Sequence, residues 1–180
     1  MHREAAPHDE APHDEAPRDE APAIRGAEQS EVDRLARLWY DGWQDGHAKV
    51  VPAQLKRLRT LESFAERLRT GLASVRVAGP VGAPVGFVMV KEDELYQLYV
   101  SAAARGSGTA AALLDDGEAS LAKAGVRIGW LACAIGNDRA ARFYEKRGWQ
   151  RAGTMINRLD TPEGEFHLEV WRYEKPLRAP

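Results

Sequence analysis

Residues 95–114, LYQLYVSAAARGSGTAAALL, decide how this chain is read. The apolar run Leu95–Val100 predicts a strand. The stretch from Thr109 to Ala124 predicts a helix whose buried stripe holds Ala110, Leu113, Leu114, Gly117 and Leu121. Between them lies a tight glycine-containing turn, Arg105-Gly106-Ser107-Gly108-Thr109-Ala110. The first turn of a helix has N–H groups without an intrahelical acceptor and carries the positive end of the helix dipole. Glycine lets those groups close on a phosphate, because no Cβ stands in the way. Arg105 adds a fixed positive charge at the head of the turn. The segment reads as a site for a phosphorylated cofactor. Its spacing excludes two common nucleotide folds. Ala111 stands where a G-x-G-x-x-G turn needs its third glycine, and no G-x-x-x-x-G-K-[ST] run is present.

A second segment, RIGWLACAIGNDRAARFYEKRGW at 127–149, predicts a strand from Ile128 to Ile135, a polar break and a short helix. Asn137 or Asp138 suits the helix N-cap, and Gly148 the left-handed position past its end. Together the two segments resemble the acyl-CoA site of the GNAT acetyltransferases. Arg105, Gly108 and Ala110 fall on that family's [Q/R]-x-x-G-x-[G/A] loop, and Leu98-Tyr99-Val100 on the strand end before it. Asn137-x-x-Ala140-x-x-Phe143-Tyr144-Glu145-Lys146-x-Gly148-Trp149 is similar to the second half of the same site, N-x-x-A-x-x-[F/L]-Y-x-x-x-G-[F/W]. Ala102, where a proline often follows the strand, and Ala110, where glycine is commoner, are departures the pattern tolerates. The resemblance covers residues 23–175 or so, with its motifs at 95–149.

The remaining elements follow from periodicity. Ala23–Ala27 predicts a short strand. Ser30–Gly46 predicts a helix capped by Ser30, with Val32, Leu35, Trp39 and Trp43 on one face. Gln54–Arg69 predicts a second helix. Ser74–Ala78 and Val85–Lys91 predict strands around the Gly79–Pro84 turn, and the tight Glu92-Asp93-Glu94 link extends an antiparallel meander. The crossover helix returns the chain to 128–135, parallel to 95–100. Strands near Gln150–Asn157 and Phe166–Glu174, joined at Asp160–Gly164, follow the short helix. The fold class is α/β in the GNAT order β-α-α-β-β-β-α-β-α-β-β: a mixed, mostly antiparallel sheet flanked by about four helices. The resemblance implies that the parallel strands splay apart and that acyl-CoA enters the gap.

The chemistry so implied is transfer of an acetyl group from acetyl-CoA to a primary amine of an unidentified small-molecule or peptide acceptor, by direct attack on the thioester. No metal is expected, and a homodimer is allowed. The amine must shed a proton, because an alkylammonium has a pKa of about 10.4 and no lone pair. Glu94 stands where many members carry a general base that acts through water. It also belongs to an acidic turn, where carboxylates are commonly just solvated. Tyr96 and Gln97 are alternatives for holding the water or the substrate; a bulge is usual in this strand of the family, so alternation does not choose among them. The family places oxyanion donors on backbone N–H groups exposed by that bulge, near Tyr99 or Val100. Tyr144 matches the tyrosine whose phenol points at the CoA sulfur. A thiol pKa of about 8.5 makes the thiolate a tolerable leaving group, so an acid assists without being indispensable.

Cofactor contacts carried over from the motifs are Leu98, Tyr99, Val100, Arg105, Gly106, Ser107, Gly108, Thr109, Ala110, Asn137, Ala140 and Phe143. Asn137 either holds the pantetheine arm or only caps its helix. The acceptor walls fall to the first two helices, their connection and the last hairpin. Trp39, Tyr40, Trp43, His47 and Arg57 are candidate contacts, the two tryptophans reading chiefly as core and His47 as surface. The competing class is a non-catalytic acyl-CoA-binding or sensing module. It would keep Arg105 and the glycines but dispense with Glu94 and Tyr144.

Composition sets the outer bounds. A chain of 180 residues holds one domain with a full core. Its first 22 residues carry two arginines and seven carboxylates, a net −5 that leaves +3 on the rest of a chain totalling −2. A mildly basic body suits an anionic cofactor and lacks the strong basic patch of a nucleic-acid binder. The tail repeats PHDEA, PHDEA and PRDEA; proline at every fifth position and nothing larger than alanine to bury predict a disordered acidic segment. The domain is expected at 23–180. The polar N-terminus is no secretory signal, and no apolar run reaches the ~18 residues needed to cross a bilayer, so a cytoplasmic protein without membrane contact is expected. The lone Cys133, in an apolar strand, reads as a buried, inert thiol.

Overall fold

In the computed structural model, which describes residues 23–178, the strand predicted at 95–100 lies in the middle of a seven-stranded sheet. The elements are β1 (Ile24–Gly26), α1 (Val32–His47), α2 (Ala53–Leu58), α3 (Leu61–Gly71), β2 (Val75–Ala78), β3 (Gly86–Lys91), β4 (Glu94–Val100), α4 (Thr109–Lys123), β5 (Ile128–Ala134), α5 (Asp138–Lys146), β6 (Gln150–Thr161) and β7 (Gly164–Pro176). Strand order is β1-β2-β3-β4-β5-β7-β6, and only the β4–β5 neighbours run parallel. The expected class, a mostly antiparallel mixed sheet with one parallel pair, is the one observed. The repeats at 1–22, and the reading of them as disordered, lie outside the described residues. Among the described residues no helix is long and apolar enough to cross a membrane.

Helices cover both faces. The amphipathic stripe of α1 buries Val32, Leu35, Trp39 and Trp43, and Trp39 packs its ring 4.9 Å from Phe64 of α3 and 5.5 Å from Phe87 of β3. On the other face Leu113, Leu114 and Leu121 of α4 meet Leu131, Trp149 and Tyr173. The sheet thus has a core on each side, and the apolar periods in the sequence mark both.

Three local departures have identifiable causes. The helix expected over Gln54–Arg69 is two helices, α2 and α3. Arg59 leaves the helical region (φ −90°, ψ 73°), and the Thr60 hydroxyl caps α3 by accepting from the Ser63 N–H at 3.2 Å. Five α-helices, not four, therefore flank the sheet among the described residues. The start of α1 is set by Glu31 rather than Ser30. Its fully buried carboxylate takes two 2.7 Å hydrogen bonds from Arg25 and accepts from the Glu28 and Gly82 N–H groups, tying the helix to the β2–β3 turn. The last hairpin runs further than expected, through Asp160 and Thr161 to Gly164.

Candidate active site

β4 and β5 pair at a single register position, Glu94 opposite Trp130, where the Trp130 N–H donates to the Asp93 carbonyl at 3.1 Å. Beyond it the strands part, and a cavity of about 360 Å³ opens between them. A bulge lies at the same place: Val90 pairs with Leu95 and Met89 with Gln97, leaving Tyr96 unmatched. The extra residue bends β4 and shifts its alternation, so that Leu95 and Leu98 both pack toward the α4 face. The bulge thus sits at Tyr96, not beside Tyr99 and Val100. The N–H groups turned to the gap follow from the ladder. Ser101 N–H donates to Val85 O at 2.8 Å, so Tyr99 also faces β3, while Leu98 and Val100 turn theirs toward the cavity.

The glycine turn forms one mouth of this cavity, through Arg105, Gly106 and Ala110. Gly106 and Gly108 have φ of 79° and 83°, which side chains with a Cβ rarely adopt, and a Cβ there would meet nothing within 4 Å. Conformation, not crowding, calls for glycine, and the face above the turn is open. The N–H groups of Gly106, Gly108 and Ala110 have no acceptor among the described residues, the first α4 ladder bond being Ala112 to Gly108. Ser107 and Thr109 build the turn itself: their hydroxyls lie 2.7 Å apart, and Ser107 Oγ donates to Ala104 O at 2.7 Å. A cradle of free amides at a helix start, headed by an arginine, fits a diphosphate.

Glu94, Tyr144, Asn137, Ala140 and Phe143 line the same cavity. Burial raises the Glu94 carboxyl to about 7, against the opposing pull of the Lys91 and Arg172 charges. Tyr144 packs 5.4 Å from Phe143 and 6.4 Å from Trp149, and burial raises its phenol above the ordinary value, so it stays protonated. Asn137 caps α5 by accepting from Ala140 N–H at 3.3 Å while also facing the cavity, so both of its expected roles remain open to it. Cys133 is buried and its thiol is pushed up to about 12, as an inert core residue should be.

At the acceptor end the sequence reading needs revision. His47 is not a surface residue: it stacks on Trp43 with ring centres 5.3 Å apart, lines the cavity, and is held near a pKa of about 4 by burial, hence uncharged at neutral pH. Trp43 lines the cavity; Trp39 lies in the core behind it, and Tyr40 and the exposed Arg57 stand outside it. The cationic residues that do enter are Arg59, at the break between α2 and α3, and Arg67 of α3. Two glycines went unread as well. A Cβ on Gly42 would come within 2.6 Å of the Tyr99 ring, so α1 crosses β4 only because this position is bare. Gly42, beside Trp43, and Gly46 stand four apart in one helix, and their cost in helix stability is a sequence signal of close approach.

The sequence model of the Acetyltransferase (GNAT) family matches residues 32–149, which include the whole glycine turn and all of α5. The chain belongs to the GNAT family. It is 35% identical over 117 residues to uncharacterized N-acetyltransferases of Mycobacterium bovis and Mycobacterium tuberculosis, a match covering 62% of this chain and 72% of theirs. Among solved structures it is similar to a GCN5-related N-acetyltransferase from Rhodopseudomonas palustris (TM-score 0.69, 22% identity, 88% of this chain and 97% of that one). It is also similar to the PaiA N-acetyltransferase of Thermoplasma acidophilum in complex with coenzyme A (TM-score 0.61, 18% identity, 87% and 99%). At these identities the structural likeness is one of fold. Acetyl transfer is the chemistry of the GNAT family to which this chain belongs.

Proposed function

We propose that this chain transfers an acetyl group from acetyl-CoA to a primary amine. A single cavity carries the reading: it joins a diphosphate-fitting amide cradle at Arg105–Ala110 to a near-neutral carboxyl at Glu94 and a protonated phenol at Tyr144. Acetyl-CoA supplies the activated acetyl group as a thioester. Gly106, Gly108 and Ala110 N–H groups hold its diphosphate, with Arg105 neutralising charge. Phe143, Ala140 and Asn137 flank the pantetheine arm.

Glu94, whose carboxyl burial raises to about 7, takes the proton of the incoming ammonium through a water. The freed nitrogen lone pair forms the C–N bond as the C–S bond breaks. The Val100 N–H, turned into the gap, stabilises the developing negative charge on the acetyl oxygen. The Tyr144 hydroxyl protonates the departing sulfur, so that the products are an amide and a free thiol. The proton on Glu94 goes to solvent, and the proton still on the attacking nitrogen once the C–N bond has formed passes through water to Tyr144, so each turnover releases one proton.

A thiol-release assay with acetyl-CoA and a panel of amines, run beside calorimetric titration with acetyl-CoA, tests the reading. Release that needs both an amine and Glu94 supports it. Tight binding with no release from any amine turns the chain into an acyl-CoA sensor and refutes the transferase reading.

A further inference from the structure

Arg59 is 3% exposed, yet it lines the cavity. Its Nη1 donates to the Asp160 carbonyl of β6 at 2.9 Å; its other guanidinium nitrogens find no acceptor among the described residues. Arg67, one helix further on, lines the same wall. It donates to the Tyr96 hydroxyl and lies 4.3 Å over the Trp39 ring. Neither forms an ion pair with a carboxylate among the described residues, and each repels the other: the Arg67 charge, after burial itself, helps lower Arg59 to about 10. Arg59 is buried and Arg67 half-buried, and the Asp160 and Glu94 carboxylates act on them only at a distance, so the pair holds positive charge that no directly bonded carboxylate neutralises. A ligand that brings the missing negative charge relieves it.

We infer that the acceptor is an aminocarboxylate, a free amino acid or close relative, whose carboxylate is held by Arg59 and Arg67 while its amine faces Glu94. The inference rests on the acetyl-transfer reading and names that reaction's substrate class. The planar fork of each guanidinium suits a carboxylate. The wall beyond them is apolar and uncharged, built from Val51, Leu55, Leu168 and the neutral His47. Polyamines, aminoglycosides and basic peptides would set further positive charge against Arg59 and Arg67, and are disfavoured. The transfer is the one written above: the acceptor nitrogen gains the acetyl carbon, its proton leaves through Glu94, and the sulfur departs as thiol.

The test compares free amino acids with their carboxamides, with the amines left when the carboxyl is removed, and with spermidine. Thiol release is measured for the wild type and for Arg67→Gln, Arg67→Lys and Arg59→Gln. At least one amino acid is expected to exceed its carboxamide by about 10-fold or more in kcat/KM. Arg67→Gln should erase that preference mainly through KM, and Arg67→Lys should restore part of it. Because Arg59 also bonds the β6 backbone, its variant can loosen the α2–α3 junction, so Arg67→Gln carries the decision. A preference for spermidine or the uncharged amines, or an acid-over-amide preference that survives Arg67→Gln, overturns the inference. If no compound releases thiol, the transferase reading fails separately. The clamp is then decided by calorimetry of the same amino acids on the coenzyme A-loaded protein: binding abolished by Arg67→Gln keeps it, and absence of binding overturns it.

Discussion

Asp45, in the last turn of α1, accepts a 2.7 Å hydrogen bond from the Arg105 guanidinium at the head of the glycine turn. The same carboxylate oxygen takes a 2.8 Å bond from Arg139 of α5. One acidic side chain therefore pins two arginines across the mouth of the cavity, beside the amides proposed to bind a diphosphate. A phosphate entering there competes with Asp45 for both cations. Asp45→Asn should tighten coenzyme A binding by about 2- to 5-fold at low salt, since exposed ion pairs are individually weak. Arg105→Glu should weaken it by about 10-fold or more, because a negative charge replaces a phosphate partner. Calorimetric titration of both variants checks the pair of signs.

Tyr144→Phe should lower turnover by about 10- to 100-fold, toward or below the low end of acid catalysis, because a thiolate leaves tolerably without help. Acetyl-CoA affinity should change little, since the ring and its packing against Phe143 and Trp149 are kept. Steady-state kinetics with binding measured separately would show an unchanged kcat if the phenol plays no part.

The glycine turn and α5 were legible because their geometry is local: a few consecutive residues fix cap, turn and helix face. The acceptor end was not. The break at Arg59 is secured by a hydrogen bond to Asp160, 101 residues further along the chain, and the helical period runs through it without interruption. Burial of His47 comes from stacking on Trp43, and no sequence spacing distinguishes that from an exposed helix end. The bulge at Tyr96 shifts the alternation of the residues after it, which is why Leu95 and Leu98 share a side. Glu94 could be named but not ranked, because its near-neutral titration depends on burial that only the folded sheet supplies.

That burial has two consequences of opposite use. Activity should rise with pH through a limb near 7 as Glu94 loses its proton, and Glu94→Gln should remove the limb and about 100-fold or more of the rate. Stability should move the other way. A carboxyl raised from 4.5 to about 7 binds its proton more tightly folded than unfolded, so ionising it costs stability as pH rises across that interval. Glu94→Gln should therefore gain thermal stability relative to wild type above pH 7 and not below pH 4.5, as scanning calorimetry would report.

Glu31 behaves conversely. Hydrogen bonds from Arg25 first, then from the Gly82 and Glu28 N–H groups, lower its carboxyl from 4.5 to about 2 against its burial. Its stabilisation is complete above the unfolded value and is lost as pH falls from about 5 toward 2. Glu31→Ala should cost about 3 kcal/mol at neutral pH, by stranding Arg25 and freeing the start of α1, and should flatten the acid limb of a denaturation series.

The proposed grip on the coenzyme A diphosphate depends most on the free amides of the glycine turn. Titrating nitrogen-labelled protein with coenzyme A, and following backbone amide resonances, observes them directly. Gly106, Gly108 and Ala110 are predicted to show the largest shifts, with Val100 moving alongside them. Saturable binding that leaves those amides unmoved, with shifts gathered elsewhere on the molecule, would contradict it.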